Sequence, residues 1–221
     1  MISIAVVTAN CGAFDKIILD APQVLPEFFK MDRIIFDDSN FPPRVNSMTP
    51  RLQARIPKCF AWQMAPGYDY YIWIDASLAM TSANFVSWLL EQLTFTDAAF
   101  LVHPERKTIN EEYLFIKEKI KSGNLYLKSR YENEFDDEQM EFINSDKSYK
   151  DDKLFASSLF IYRNNKTTQD MLKDWWVHIS RFHTVDQLAL PYVLQKSGCT
   201  FKSITEPLYK SKYFAYVRNK K

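Results

Sequence analysis

The chain has 221 residues, of which 47% are hydrophobic and 15% aromatic, enough apolar material for one sizeable core. Its 28 Lys and Arg against 27 Asp and Glu leave a formal charge of +1, which excludes the broad basic field of a nucleic-acid or anionic-membrane binder. Cys11, Cys59 and Cys199 are odd in number and far apart, which argues against a disulfide framework or a zinc cluster and for a reducing compartment.

In chain order, Ile2 to Val7 is an apolar run without a basic start and too short for a signal peptide or a membrane span. It reads as the first core strand of a cytoplasmic protein. Arg33 to Phe36 is a second strand, and Pro50 to Met64 has a helical pattern interrupted by Pro57. In "GYDYYIWIDAS", Tyr70 to Ile74 reads as a strand buried on both faces and ending on Asp75. A helix is expected over Asn84 to Leu93 and a strand over Ala98 to Val102.

From Glu105 to Lys153 the composition becomes densely charged, with an amphipathic helix at Asn110 to Ser122 and an acidic patch "ENEFDDEQMEF". This segment is either a solvated helical excursion or an acceptor-side wall. Strands follow at Leu159 to Tyr162 and Thr200 to Ile204. Between them lie a helix opening on "TTQD" at Thr167 to Arg181 and a second at Asp186 to Ser197, stopped by Gly198. Strands alternating with helices predict an α/β fold, a mostly parallel sheet with helices on both faces, in a single domain over 1–221 with an insertion around 105–153.

Four places carry groups suited to chemistry. In "IDAS", Asp75 and Ser77 point the same way on an extended backbone and suit one hard cation, Mg²⁺ or Mn²⁺, clamping a diphosphate; Asp75 equally suits a turn cap. In "TPRLQARIPKC", Arg51, Arg55 and Lys58 share one helical face with no acid interleaved, so the stripe is either a diphosphate contact or a solvated basic face. Thr8 and Asn10 follow the first strand, and Asp37 and Asp38 the second. Both pairs lie where parallel sheets bind ligands, and the two acids also suit the turn "DDSNFPP". In "HTVDQLALPYVLQKSG", Asp186 sits at a helix start, where it caps or contacts the reacting centre. Lys210 and Lys212 in "EPLYKSKYF" are cations able to fold over a diphosphate, whereas Lys220 and Lys221 read as a frayed basic terminus.

Taken together, "TAN", "IIFDD", "RLQARIPK", "YDYYIWIDAS", "FASSLFIYRNN" and "WWVHISRFHTVDQLALPYVLQKSG" resemble GT-A glycosyltransferases. They look most like the small domains with which large algal viruses (chloroviruses) glycosylate their capsid proteins. The resemblance spans nearly the whole chain, least in 105–153. It implies a GT-A fold, a UDP-sugar donor, a glycan or glycoprotein acceptor, a Mn²⁺ or Mg²⁺ cofactor, and neither a nucleic-acid partner nor a membrane span. By position, Asp75 and Ser77 stand at the DxD motif, with a hydroxyl where many members carry a second carboxylate. Thr8 and Asn10 would face base or ribose, and Arg51, Arg55 and Lys58 phosphate or donor sugar; by their own positions Asp37 and Asp38 could accept hydrogen bonds from a base or ribose and Lys210 could reach the diphosphate. Asp186 would approach the reacting groups, as general base if the reaction inverts. A third metal ligand has no clear counterpart, with Glu206 and His183 as candidates. The competing readings are an inactive nucleotide- or sugar-binding module and a metal-dependent phosphohydrolase or nucleotidyltransferase.

Overall fold

A computed structural model describes residues 1–221 except 17–18, 45, 135 and 218–221; Lys220 and Lys221 therefore lie outside the described residues. Its spine is a six-stranded sheet ordered β2 (Phe29–Asp37), β1 (Ile2–Asn10), β3 (Tyr70–Ile74), β6 (Phe155–Arg163), β5 (Ala98–Val102), β7 (Phe201–Ile204). The pairs β1·β2, β1·β3 and β5·β7 are parallel, while β6 runs antiparallel to both β3 and β5. The expected α/β class holds, with a mixed sheet. A two-stranded ribbon joins β4 (Leu78–Met80) to β8 (Phe214–Tyr216).

The apolar runs are buried on both faces because alternate side chains serve two cores. Ala5, Val7, Tyr71, Trp73, Phe160 and Tyr162 pack toward one side, and Ile4, Val6, Ile72, Ile74, Leu159 and Ile161 toward the other. The first core takes in residues of α1 (Pro50–Met64), α6 (Lys166–Arg181) and α7 (Leu190–Lys196); the second those of α2 (Phe85–Glu91) and the β4·β8 ribbon.

Thr49 caps α1, its hydroxyl accepting from the Leu52 amide, and Pro50 occupies the first turn, where its missing N–H costs nothing. The helix runs through Pro57, contrary to the expected interruption. Its irregularity appears at Phe60 (φ −124°), and packing against α6 outweighs the lost hydrogen bond. Asn165, two residues before the expected start, caps α6 through a reciprocal pair with Thr168. The expected helix over Asp186 to Ser197 divides into a 3₁₀ turn, Asp186–Leu188, and α7, because Pro191 suits a first helical turn and not an interior. Gly198 follows α7 at φ +67°. The charged segment folds as α3 (Ile109–Lys121), α4 (Leu125–Tyr131) and α5 (Asp136–Ser145). Among the described residues no helix is long and apolar enough to cross a membrane, and the three cysteines are unpaired and buried.

Candidate active site

β3 ends at Ile74 and delivers Asp75 to the carboxyl end of the sheet, where its amide donates to the Ser158 carbonyl at 2.8 Å. The Trp73 indole, two residues back on the same strand face, donates to Asp75 Oδ1 at 2.6 Å. Lys58 Nζ lies 3.6 Å from the same oxygen, and the Asp75 side chain remains 29% exposed. The chain then turns, with the Leu78 amide bonded to the Asp75 carbonyl at 2.9 Å. Asp75 and Ser77 are therefore not joined by extended backbone. Their expected parallel orientation is corrected to a tight turn, covered by the residue just after β8 through a 2.7 Å bond from the Val217 amide to the Ser77 carbonyl.

Behind Asp75 lies a buried ion network. Lys58 has a fully buried side chain; its ammonium sits 2.6 Å from Asp186 Oδ2 and 5.5 Å from the ring centres of both Trp73 and Trp175. Arg55 Nε is 3.1 Å from Asp186 Oδ2, the Ser157 hydroxyl donates to Oδ1, and the Trp175 indole donates to the Asp186 carbonyl at 2.9 Å. Burial works against the Asp186 charge. Arg55 and Lys58, with the hydrogen bonds from Lys58 and Ser157, nevertheless hold its carboxyl below the usual carboxylate range. Asp186 raises the Arg55 guanidinium against the opposing effect of burial.

This network changes two expectations. Lys58 and Arg55 meet acids after all, because Asp186 returns to them from far along the chain, so the helical stripe is neither a solvated basic face nor open to phosphate at Lys58. Asp186, only 3% exposed with its oxygens engaged, is not placed as a base for an incoming hydroxyl. Arg51, the third cation, donates to the Arg130 carbonyl at 3.0 Å, lies 3.8 Å from Glu134 and stacks 4.7 Å over Tyr131.

The loops after β1 and β2 consume their own polar groups. β1 extends to Asn10, so Thr8 lies inside it, fully buried, and its hydroxyl has no hydrogen-bond partner. The Asn10 amide closes the loop by pairing with the backbone of Asp15 at 2.7 and 3.0 Å. Asp37 caps its own turn through the amide and hydroxyl of Ser39, and Asp38 accepts from the Gly12 amide at 2.9 Å. Gly12 holds φ +74° with Pro50 only 3.1 Å from where a Cβ would stand, so any side chain there would strain the loop. Thr8→Val keeps the shape and removes the orphaned hydroxyl; it should stabilise the fold by about 1 kcal/mol in urea unfolding. UDP titration of the same variant is expected to show unchanged affinity, and a clear loss would restore Thr8 as a donor contact.

Of the remaining candidates, Lys210 is exposed on the turn leading to β8, and Glu206 accepts from the Lys212 amide at 3.1 Å. His183 is buried against Tyr131; its Nδ1 accepts from the Val185 amide at 2.9 Å, and desolvation, with Arg51 and Lys117, lowers its pKa to about 3. No group of three or more His, Cys, Asp or Glu able to hold a metal exists among the described residues. What the protein offers a cation is thus the partly open Asp75 carboxylate, which fits Mg²⁺ or Mn²⁺ only when phosphate oxygens and water complete the shell.

Residues 44–215 match the family described as TOD1/MUCI70, glycosyltransferase-like domain. The chain belongs to that family. No curated protein sequence matches this TOD1/MUCI70 domain. Among solved structures, a glycosyltransferase involved in the glycosylation of the major capsid of PBCV-1 superposes with a TM-score of 0.50 at 7% identity, covering 99% of this chain and 94% of that one. Mouse xyloside xylosyltransferase 1, in its apo form, gives a TM-score of 0.49 at 9% identity over 92% and 85% of the two chains. The glycosyltransferase involved in PBCV-1 major capsid glycosylation and the TOD1/MUCI70 domain share a GT-A-like fold, as the motifs led us to expect.

Sequence reasoning missed Trp73, Trp175 and Ser157, which hold Asp75, Lys58 and Asp186 in place. A serine pair inside the apolar "FASSLFIY" was the available signal, since a hydroxyl in a buried strand needs a partner.

Proposed function

We propose that this glycosyltransferase-like domain moves a hexose or deoxyhexose from a UDP-sugar to a hydroxyl of a glycan or glycoprotein, a viral capsid protein being one acceptor of that class. The observation that carries the reading is Asp75: partly open at the carboxyl end of β3, and held from behind by Trp73 and by the Lys58–Asp186 pair. Asp75 would hold a divalent cation whose charge eases departure of the diphosphate. Arg51 and Lys210 remain the cations for the diphosphate, while Lys58 and Arg55 act one layer deeper and fix the carboxylates.

The bond from the anomeric carbon to the diphosphate breaks and one to the acceptor oxygen forms. Asp186 has no free oxygen for the acceptor's proton, so the departing diphosphate oxygen takes it, which favours transfer with retention.

Calorimetry with UDP and a panel of UDP-sugars, in Mn²⁺ and then in EDTA, tests this directly. Metal-dependent binding with a preference among sugars is expected, and Asp75→Ala should weaken UDP in Mn²⁺ at least about tenfold, or about 1.4 kcal/mol. Unchanged affinity in the variant would remove Asp75 from the site. Binding indifferent to metal, without turnover, would instead identify a nucleotide- or sugar-binding module.

A further inference from the structure

The charged segment forms a pocket open to solvent. Between α3, α4 and α5 lies a cavity of about 550 Å³, within the range of small-molecule sites, with Leu114, Ile120 and Tyr131 supplying apolar wall and Lys117, Glu132 and Asp136 polar groups. Asp136 is 5% exposed; its Oδ1 accepts from the Asp137 amide at 3.0 Å and lies 3.7 Å from Lys117. A buried carboxylate beside an apolar floor calls for further hydrogen-bond donors.

The cavity is linked to the candidate active site through one residue. Tyr131 lines it, and the same ring lies under Arg51 and against His183, three residues before Asp186. α3 itself packs against the Asp186–Leu188 turn.

We propose that this cavity receives a neutral sugar unit of the acceptor glycan. The inference rests on the transferase reading above and names its acceptor subsite. A pyranose matches the lining: its C–H face suits Leu114, Ile120 and Tyr131, and its hydroxyls donate to Asp136 and Glu132 and accept from Lys117. The mixed charges of the wall oppose a strongly anionic or cationic occupant.

The test uses saturation-transfer NMR with the methyl glycosides of xylose, glucose, galactose and mannose, on the full chain with saturating UDP and Mn²⁺. Leu114 is half exposed, so Leu114→Trp fills the cavity without removing a buried core contact, and Asp136→Asn removes the acceptor charge. The wild type is expected to saturate at least one glycoside, Leu114→Trp to reduce the signal at least fivefold, and Asp136→Asn to reduce it less. UDP affinity, measured by calorimetry, should stay unchanged in both and so certifies folding. An undiminished signal in Leu114→Trp, or a wild type that binds UDP and none of the glycosides, overturns the subsite. Glycoside binding that Leu114→Trp abolishes, in a chain that binds no UDP-sugar, leaves the subsite standing and removes the donor reading instead.

Discussion

Lys58→Met is expected to lower the unfolding free energy by about 3 kcal/mol, because removing one partner of a buried pair strands the other charge. The methionine fills the volume of the lysine stem, so the loss reports the charge and not a cavity. Arg55 and Ser157 remain on Asp186 and keep the cost at the lower end of the range for such changes. A double variant, Lys58→Met with Asp186→Leu, should lose less than the sum of the two single losses, since it strands Arg55 but no longer leaves Lys58 and Asp186 each facing a missing partner. Urea unfolding of the four proteins closes the cycle, and strictly additive losses would mean that the 2.6 Å pair is not energetically coupled. The single variant should also weaken UDP, as Asp75 loses the ammonium at its Oδ1.

Acid should unfold the protein earlier than its carboxylates alone would dictate. Burial lowers the pKa of His178 to about 4 and that of His183 to about 3, against an unfolded value of about 6.5. Unfolded chains therefore take up these protons first. The associated stability is complete above pH 6.5 and is lost as pH falls toward 4, with a limiting slope of about 1.4 kcal/mol per pH unit for each ring. Two rings give nearly 3 kcal/mol per pH unit within that window. His178 sits among Phe142, Phe182 and Tyr192, with its Nδ1 buried and unpartnered, so His178→Phe preserves shape and removes one titration. Urea unfolding at pH 7.5 and at pH 5 should show a smaller drop in the variant by more than 1 kcal/mol. An equal drop would place the acid sensitivity elsewhere.

How far the sequence reaches is clearest at Asp75. A run of aromatic and β-branched residues ending on an acid needs no tertiary information to be read as a buried strand that presents a carboxylate at a sheet end. The α1 stripe was half legible. Helical spacing places Arg51, Arg55 and Lys58 on one face, but which acid meets them depends on how α6 and the Asp186–Leu188 turn return to α1, and no local pattern encodes that. Thr8 was misplaced because a polar "TAN" reads as the end of a strand. Pairing with β2 carries the strand through it, and tertiary burial overrides the composition. At Asp37 both readings were available from the residues, and the hydrogen bonds of Ser39 select the turn.

The ribbon formed by β4 and β8 bears on the order in which the molecule matures. Ser77, beside the acid that ends β3, is tied down by the backbone of Val217, so the rim of the site is sealed by one of the last described stretches of chain. Such a contact closes a very long loop, and its entropic cost is met only after the sheet is in place to receive it. During synthesis the sheet can form through β7 while that turn still lacks its cover. The nascent chain should thus acquire its core before it acquires a closed donor rim, and sugar-nucleotide binding should lag folding until β8 has left the ribosome.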